Sequence, residues 1–271
     1  MSEIDHLLSE DRRFPPSAEW RRDAVVTDAD VYARAARDPD AFWAEQARAL
    51  EWITPFTKVL EGGFPSPKWF SDGTLNVSAN CLDRHVRAGR GDRTAFIWEG
   101  EPGDTRTITY AELLAEVSRF AAVLRAKGVR KGDRVALYMP LIPELAVAML
   151  ACARIGAVHS VVFGGFSADA LRDRINDSAC VALVTADGGY RRGNIVPLKH
   201  MADAALAGTP SIRTVIVVRR GGGRDIEASM TPGRDHWYHE LMAAERGAAD
   251  PEPMGAEDML YILYTSGTCV L

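Results

Sequence analysis

The sequence predicts an α/β protein with a mostly parallel, doubly wound sheet, left incomplete and preceded by a helical N-terminal cap. Three observations carry this. From Thr94 onward, apolar strand-like runs alternate with helix-period runs, the βαβ rhythm of a parallel sheet. The runs are joined by only a few residues each, as in compact α/β units. The first 85 or so residues instead show helix spacing and an aromatic-rich irregular stretch. At about 150 residues per domain, 271 residues allow one large domain or two modest ones. The expected division is 1–85 and 86–271.

The cap comes first. Residues 31–37 and 40–50 read as helices, the second with Phe42, Trp43, Gln46 and Leu50 at helix spacing. Between Trp52 and Gly73, several aromatics stand among Pro55, Pro65, Pro67 and Gly62-Gly63, which suits an irregular segment packed by its own rings. A strand over 95–98 follows, then a helix over 111–126. That helix places Leu113, Leu114, Val117, Ala121 and Leu124 on one face, behind a Thr109/Glu112 capping box.

A strand over 135–139 leads to a helix opening at Pro143, apolar nearly all round and therefore buried on most sides. The rhythm continues with a strand over 158–163, a helix over 168–175, a strand over 181–185, a helix over 195–206 and a strand over 214–218. Gly221-Gly222-Gly223 and Pro232-Gly233 mark a surface excursion over 219–233, and a short helix over 236–245 follows it. The last strand, 259–264, is a continuous apolar run that leaves strand edges open, so the isolated chain is expected to aggregate.

Composition excludes several classes. Hydrophobic residues make up 47% and charged residues 25%, which is ordinary for a folded soluble protein and unlike disordered or collagen-like chains. Thirty-two Lys and Arg against 37 Asp and Glu leave a net charge of −5, so the overall field repels nucleic acid. No basic-then-apolar leader opens the chain, and the longest apolar run, 145–153, is far short of the roughly 20 residues that span a bilayer. Cys81, Cys152, Cys180 and Cys269 form no CxxC pair and read as thiols of a reducing compartment, hence a cytoplasmic location. Cys81, Asp83 and His85, like His236 and His239, lack the spacing of a metal or nucleophile set.

Three segments have the residue types that hold anions. Thr265, Ser266, Gly267 and Thr268 follow an apolar strand, where small hydroxyl residues and a glycine let backbone donors surround a polyphosphate; a plain polar turn has the same composition. Residues 187–194 precede a helix-period run, so their donors are expected at a helix N-terminus, with Arg191 and Arg192 adding charge; solvated loop arginines and a simple N-cap Asn194 are the alternative. Gly164-Gly165 stands at the C-terminal end of a strand, the side of an open α/β sheet where ligands bind, or is only a tight turn.

Several blocks together resemble the acetyl-CoA synthetase branch of the adenylate-forming enzymes. They are Lys68-Trp69-Phe70 with Asp72-Gly73-Thr74-Leu75-Asn76, Asn80 to His85, Tyr138-Met139-Pro140 with Ile142-Pro143-Glu144, and Arg154-Ile155-Gly156-Ala157-Val158-His159 running on to Ser167. Tyr264 to Thr268 resembles the opening of that superfamily's phosphate loop, whose pattern continues Thr-Gly-x-Pro-Lys-Gly. Here the chain instead reads Cys269-Val270-Leu271, without the loop lysine, and the resemblance covers less than half of such an enzyme. A fragment is therefore expected, its sheet the beginning of an adenylation domain.

The resemblance implies a ligase that makes acetyl-AMP and pyrophosphate from acetate and ATP with magnesium, after which CoA displaces AMP. It implies ATP-phosphate binding by Thr265, Ser266, Gly267 and Thr268. It also implies a CoA site of Phe163, Gly164, Gly165, Arg191, Arg192, Gly193 and Asn194. Asn194 stands where the family usually has a second arginine, which puts one phosphate contact in doubt. The catalytic lysine, acyl pocket and C-terminal domain fall in the missing part, so the chain alone is expected to be inactive. A non-catalytic CoA-binding or subunit-interaction module, or part of a propionate ligase, are the competing expectations.

Overall fold

The structure is a computed structural model that describes residues 13–221, 226 and 228–265. The chain forms two compact units, Met1–Ala49 and Leu50–Leu271. In the first, α1 (Ala18–Asp23), α2 (Val31–Arg37) and α3 (Pro39–Ala47) follow one another. The α1 helix has no buried residue, so no apolar period marked it in the sequence. Asp38 caps α3 by accepting the Ala41 N–H at 3.0 Å, and Pro39 occupies the first turn.

The second unit opens with the aromatic segment, which carries the short pairing of β1 (Leu60–Glu61) with β2 (Lys68–Trp69). Its Trp52, Phe56 and Phe70 rings lie 4.7–5.7 Å apart, as the composition suggested. After β3 (Thr74–Leu75), residues 77–90 wind helically and include the π-helical turns Ala79–Asp83 and Val86–Arg90. The hairpin of β4 (Thr94–Glu99) and β5 (Thr105–Thr109) precedes α4 (Tyr110–Ala126). The capping box at its start is complete: the Glu112 N–H donates to Thr109 Oγ1 at 3.2 Å, and the Thr109 N–H donates to Glu112 Oε2 at 2.8 Å.

Six parallel strands then build the sheet: β6 (Arg134–Met139), β7 (Val158–Phe163), β8 (Ala182–Ala186), β11 (Thr214–Val218), β12 (Asp235–Trp237) and β14 (Tyr261–Ile262). Their order is β12-β11-β8-β6-β7-β14. The chain steps from β6 to β7 through α5 (Pro143–Arg154), then back past β6 to β8 through α6 (Ala168–Ser178). Crossovers in opposite directions with one right-handed sense put their helices on opposite faces, so the sheet is doubly wound, as expected. The α5 helix packs on α4, and α6 packs on α7 (Leu198–Leu206). On α5, Val147, Ala148, Ala151 and Cys152 are fully buried, which its all-round apolar pattern required.

Three segments depart from expectation. The helix expected over 195–206 begins only at Leu198, after Pro197, because Asn194–Val196 (β10) folds back on Gly189–Arg191 (β9) as an antiparallel hairpin. The helix expected over 236–245 is split: β12 takes Asp235–Trp237 and α8 takes Tyr238–Ala244. The last strand is not a buried run over 259–264. Among the described residues only Tyr261 and Ile262 of this run pair, with β7, while Met259 and Leu263 are 59% and 66% exposed on the sheet edge. One more short pairing, β13 (Met254–Gly255) on β3, ties the late chain to the aromatic segment.

Candidate ligand cleft

Register places the cleft. Met139 pairs with Phe163, Tyr138 with Thr185, and Ala186 with Val218, so β6, β7, β8 and β11 end together. The residues that follow, Pro140-Leu141, Gly164-Gly165, Asp187-Gly188-Gly189 and Arg219-Arg220, therefore emerge along one edge of the sheet. This is the carboxyl end of the strands, where the strand order reverses around β6. A cleft of about 300 Å³ opens there, and Phe163, Gly164, Gly165 and Arg191 all line it.

The two glycines are needed for space. A Cβ on Gly164 would lie 3.2 Å from the Met139 carbonyl oxygen. One on Gly165 would meet Arg191 Nη1 at 2.5 Å and the Phe163 ring at 2.6 Å, displacing both from the cleft wall. The Arg191 guanidinium carbon sits 5.4 Å from the Phe163 ring centre, and no carboxylate among the described residues pairs with it. Its charge is available to an anion.

The neighbouring predicted residues behave differently. Arg192 (φ 53°) and Gly193 (φ 75°) are the two left-handed residues of the β9–β10 turn, the geometry a two-residue hairpin requires. Arg192, Gly193 and Asn194 are exposed and do not line the cleft. Asn194 Nδ2 donates to the Arg192 carbonyl at 3.1 Å, and the Gly193 N–H donates to Glu101 Oε1 at 2.6 Å. The expectation that 187–194 presents donors at a helix N-terminus is therefore corrected. These residues form a β-hairpin, and the helix starts one strand later, at Leu198. Of the phosphate segment, Thr265 is exposed just past the sheet edge, while Ser266, Gly267 and Thr268 lie outside the described residues.

Rings connect the cleft to that segment. Phe163 meets Phe166 edge-on at 5.9 Å, the Arg174 guanidinium lies 4.7 Å from the Phe166 ring centre, and the same guanidinium lies 5.1 Å from the Tyr264 ring centre. Tyr264 donates to Asp177 Oδ2 at 2.5 Å, and burial, followed by this bond, pushes its phenol up to about 12. Tyr138 fixes the loop from below by donating to the Phe166 carbonyl at 2.9 Å.

Arg220, not singled out from the sequence, completes the wall, and Asp187, the first residue of the 187–194 segment, fixes the backbone behind it. Asp187, nearly fully buried, accepts the N–H groups of Gly188 and Arg220 at 2.7 Å and of Gly221 at 3.3 Å. Arg220 lies between the rings of Trp98 and Tyr190 and donates to both oxygens of Asp104, at 2.8 and 3.0 Å. No spacing rule marks Arg220, because its partners lie 30 to 122 residues away in the chain.

Elsewhere the chemistry is quiet. Burial drives the Cys152 thiol up to about 12 and raises that of Cys180, so neither is a nucleophile. Asp83 pairs with Arg154 instead of joining Cys81 and His85 in a cluster. Among the described residues no group of three or more His, Cys, Asp or Glu gathers as metal ligands, and no helix is long and apolar enough to cross a membrane.

Comparison with known proteins agrees with this architecture. The family of AMP-binding enzymes matches residues 82–269, and the acetyl-coenzyme A synthetase N-terminus matches residues 29–81. The chain is 55% identical to the acetyl-coenzyme A synthetase of Gemmatimonas aurantiaca over 271 residues, which cover 99% of this chain and 41% of that protein. It is also 55% identical to the acetyl-coenzyme A synthetase of Rubrobacter xylanophilus over 258 residues, covering 95% and 40%. Among solved structures, acetoacetyl-CoA synthetase from Streptomyces lividans superposes with a TM-score of 0.81 at 28% identity, covering 93% of this chain and 41% of that one. The chain thus spans about two fifths of the length of the curated relatives it matches.

Proposed function

Because the chain belongs to the AMP-binding enzyme family, we propose that it is the N-terminal portion of an acetate-CoA ligase, a cytoplasmic enzyme that forms acetyl-AMP and pyrophosphate from acetate and ATP and then passes the acetyl group to CoA. The observation that carries this is the convergence of Phe163, Gly164, Gly165 and Arg191, which has no carboxylate partner among the described residues, on one cleft at the carboxyl edge of the sheet. The two glycines leave room for a flat group to approach the backbone, and Arg191 offers a forked donor to a phosphate. Thr265, Ser266, Gly267 and Thr268 would supply hydroxyl and N–H donors to the phosphates of ATP, and AMP would stay there until CoA displaces it.

The chain's share of the work is binding and orientation. In-line attack by acetate needs the triphosphate held still, which backbone donors achieve without reorganising. Magnesium, when bound with ATP, would neutralise phosphate charge; among the described residues no group of three or more His, Cys, Asp or Glu gathers to hold it. The preference for acetate over propionate follows the two relatives at 55% identity, both acetyl-coenzyme A synthetases.

Two measurements on the purified chain test this proposal. Acetate-dependent ATP–pyrophosphate exchange is expected to stay at background, and detectable exchange would overturn the assignment of an incomplete catalytic site. Calorimetric titration with CoA is expected to give saturable heat. No saturation up to about 1 mM, weaker than about −4 kcal/mol, would remove the CoA assignment from the cleft.

A further inference from the structure

The β4–β5 and β9–β10 hairpins flank the cleft and come from chain segments about ninety residues apart. Two contacts bridge them. At the tip, the Gly193 N–H donates to Glu101 at 2.6 Å. Further in, the guanidinium of Arg220 lies 5.0 Å from the ring centre of Trp98 on β4 and 5.0 Å from that of Tyr190 on β9, while both oxygens of Asp104, in the β4–β5 turn, accept from it. The Arg220 side chain is 14% exposed. Its backbone is fixed as well, since Asp187 accepts its N–H at 2.7 Å. Gly100 belongs to the same arrangement: a Cβ there would run into Asp104, Arg220 and Trp98.

We propose that Arg220 is a positioning residue that rivets the two hairpins together and so sets the width of the cleft between Trp98 and Tyr190. The inference rests on the proposed CoA cleft for its ligand, but the rivet itself is a property of the unliganded chain. A planar cation held between two rings and chelated by one carboxylate fixes distance and tilt at once; a lysine ammonium keeps the charge but loses the plane and the fork. With Arg220 paired to Asp104, Arg191 is the cleft arginine whose charge remains for the ligand. Arg220 thus shapes the wall and does not bind the anion.

The test compares the chain with its Arg220→Lys and Arg220→Ala variants, using amide hydrogen exchange of residues 99–104 and 189–196 together with CoA titration. Both variants are expected to exchange at least tenfold faster in these two segments at an unchanged rate in β6 and β8, and to bind CoA at least fivefold more weakly. Wild-type protection of both segments in Arg220→Lys would overturn the proposal, because charge alone would then suffice. Unchanged protection in Arg220→Ala would overturn it outright. If the parent chain shows no CoA binding, the cleft's ligand assignment fails, while the exchange comparison still decides the rivet.

Discussion

Asp83 and Arg154 form a two-pronged ion pair across 71 residues of sequence, with guanidinium nitrogens 2.8 and 3.0 Å from the two carboxylate oxygens. The Arg154 side chain is 5% exposed and that of Asp83 13%. Arg154 Nε donates further to the Ala249 carbonyl at 2.6 Å, so one guanidinium joins the 77–90 helical stretch, the end of α5 and the late connection after α8. Truncating one partner leaves a buried charge without its counterpart. Asp83→Ala is therefore expected to destabilise the chain by about 3 to 5 kcal/mol. Urea unfolding should show a lower midpoint at unchanged slope.

The cleft separates two neighbouring polar residues by role. Arg191 lines the cleft without a carboxylate partner among the described residues, whereas Asn194 spends its amide on the Arg192 carbonyl. Losing a charge-assisted bond to phosphate is worth about 1.5 to 3 kcal/mol, so Arg191→Ala should weaken CoA binding by roughly tenfold or more. Arg192→Ala and Asn194→Ala should shift it by no more than about twofold. Calorimetry on the three variants orders them, and equal losses at all three positions would dissolve the distinction.

His159 sits on β7, 7% exposed, with its ring stacked on Tyr261 at 5.7 Å and its Nδ1 without a hydrogen-bond partner among the described residues. Burial lowers its pKa from 6.5 to about 4. The unfolded chain therefore binds more protons than the folded chain between these values, and stability falls as pH drops from 6.5 toward 4. The full difference is roughly 3 kcal/mol. His159→Phe should flatten this part of the stability curve, measured by denaturation at pH 7, 5.5 and 4.5. An equally steep fall in the variant would assign the acid sensitivity to other groups.

Ala179 ends α6 in the left-handed conformation, φ 49° and ψ 51°, where a Cβ is penalised and glycine is not. Its backbone accepts from Arg134, which a substitution leaves intact. Ala179→Gly is expected to stabilise the chain by about 0.5 to 1 kcal/mol, offset in part by the added freedom of the unfolded chain. Thermal melts of the two proteins decide the sign.

Much of the fold was legible because its signals are local. Thr109 and Glu112 announce α4 by a spacing of three, and the apolar run over 158–163 is a strand wherever it lies in the sheet. The same locality explains the misses. Residues 195 and 196 look like the beginning of a helix until β9 offers them partners, and Pro197 then delays the helical start. Residues 259–264 look like a buried strand, yet among the described residues β7 is their one neighbour in the sheet and two residues pair with it.

Sequence alone determined the alternation of strands and helices, the glycines at 164 and 165, and the arginine at 191, because periodicity, chain turns and side-chain chemistry are carried by residues near one another. Tertiary structure decided which of these residues share a cleft. Parallel register brought the ends of β6, β7, β8 and β11 to one edge, and the hairpin turned Arg192 and Asn194 away from it. It also decided the pairings of Asp83 with Arg154 and of Arg220 with Asp104. Such contacts depend on how distant segments are folded together, and no short window of residues encodes that distance.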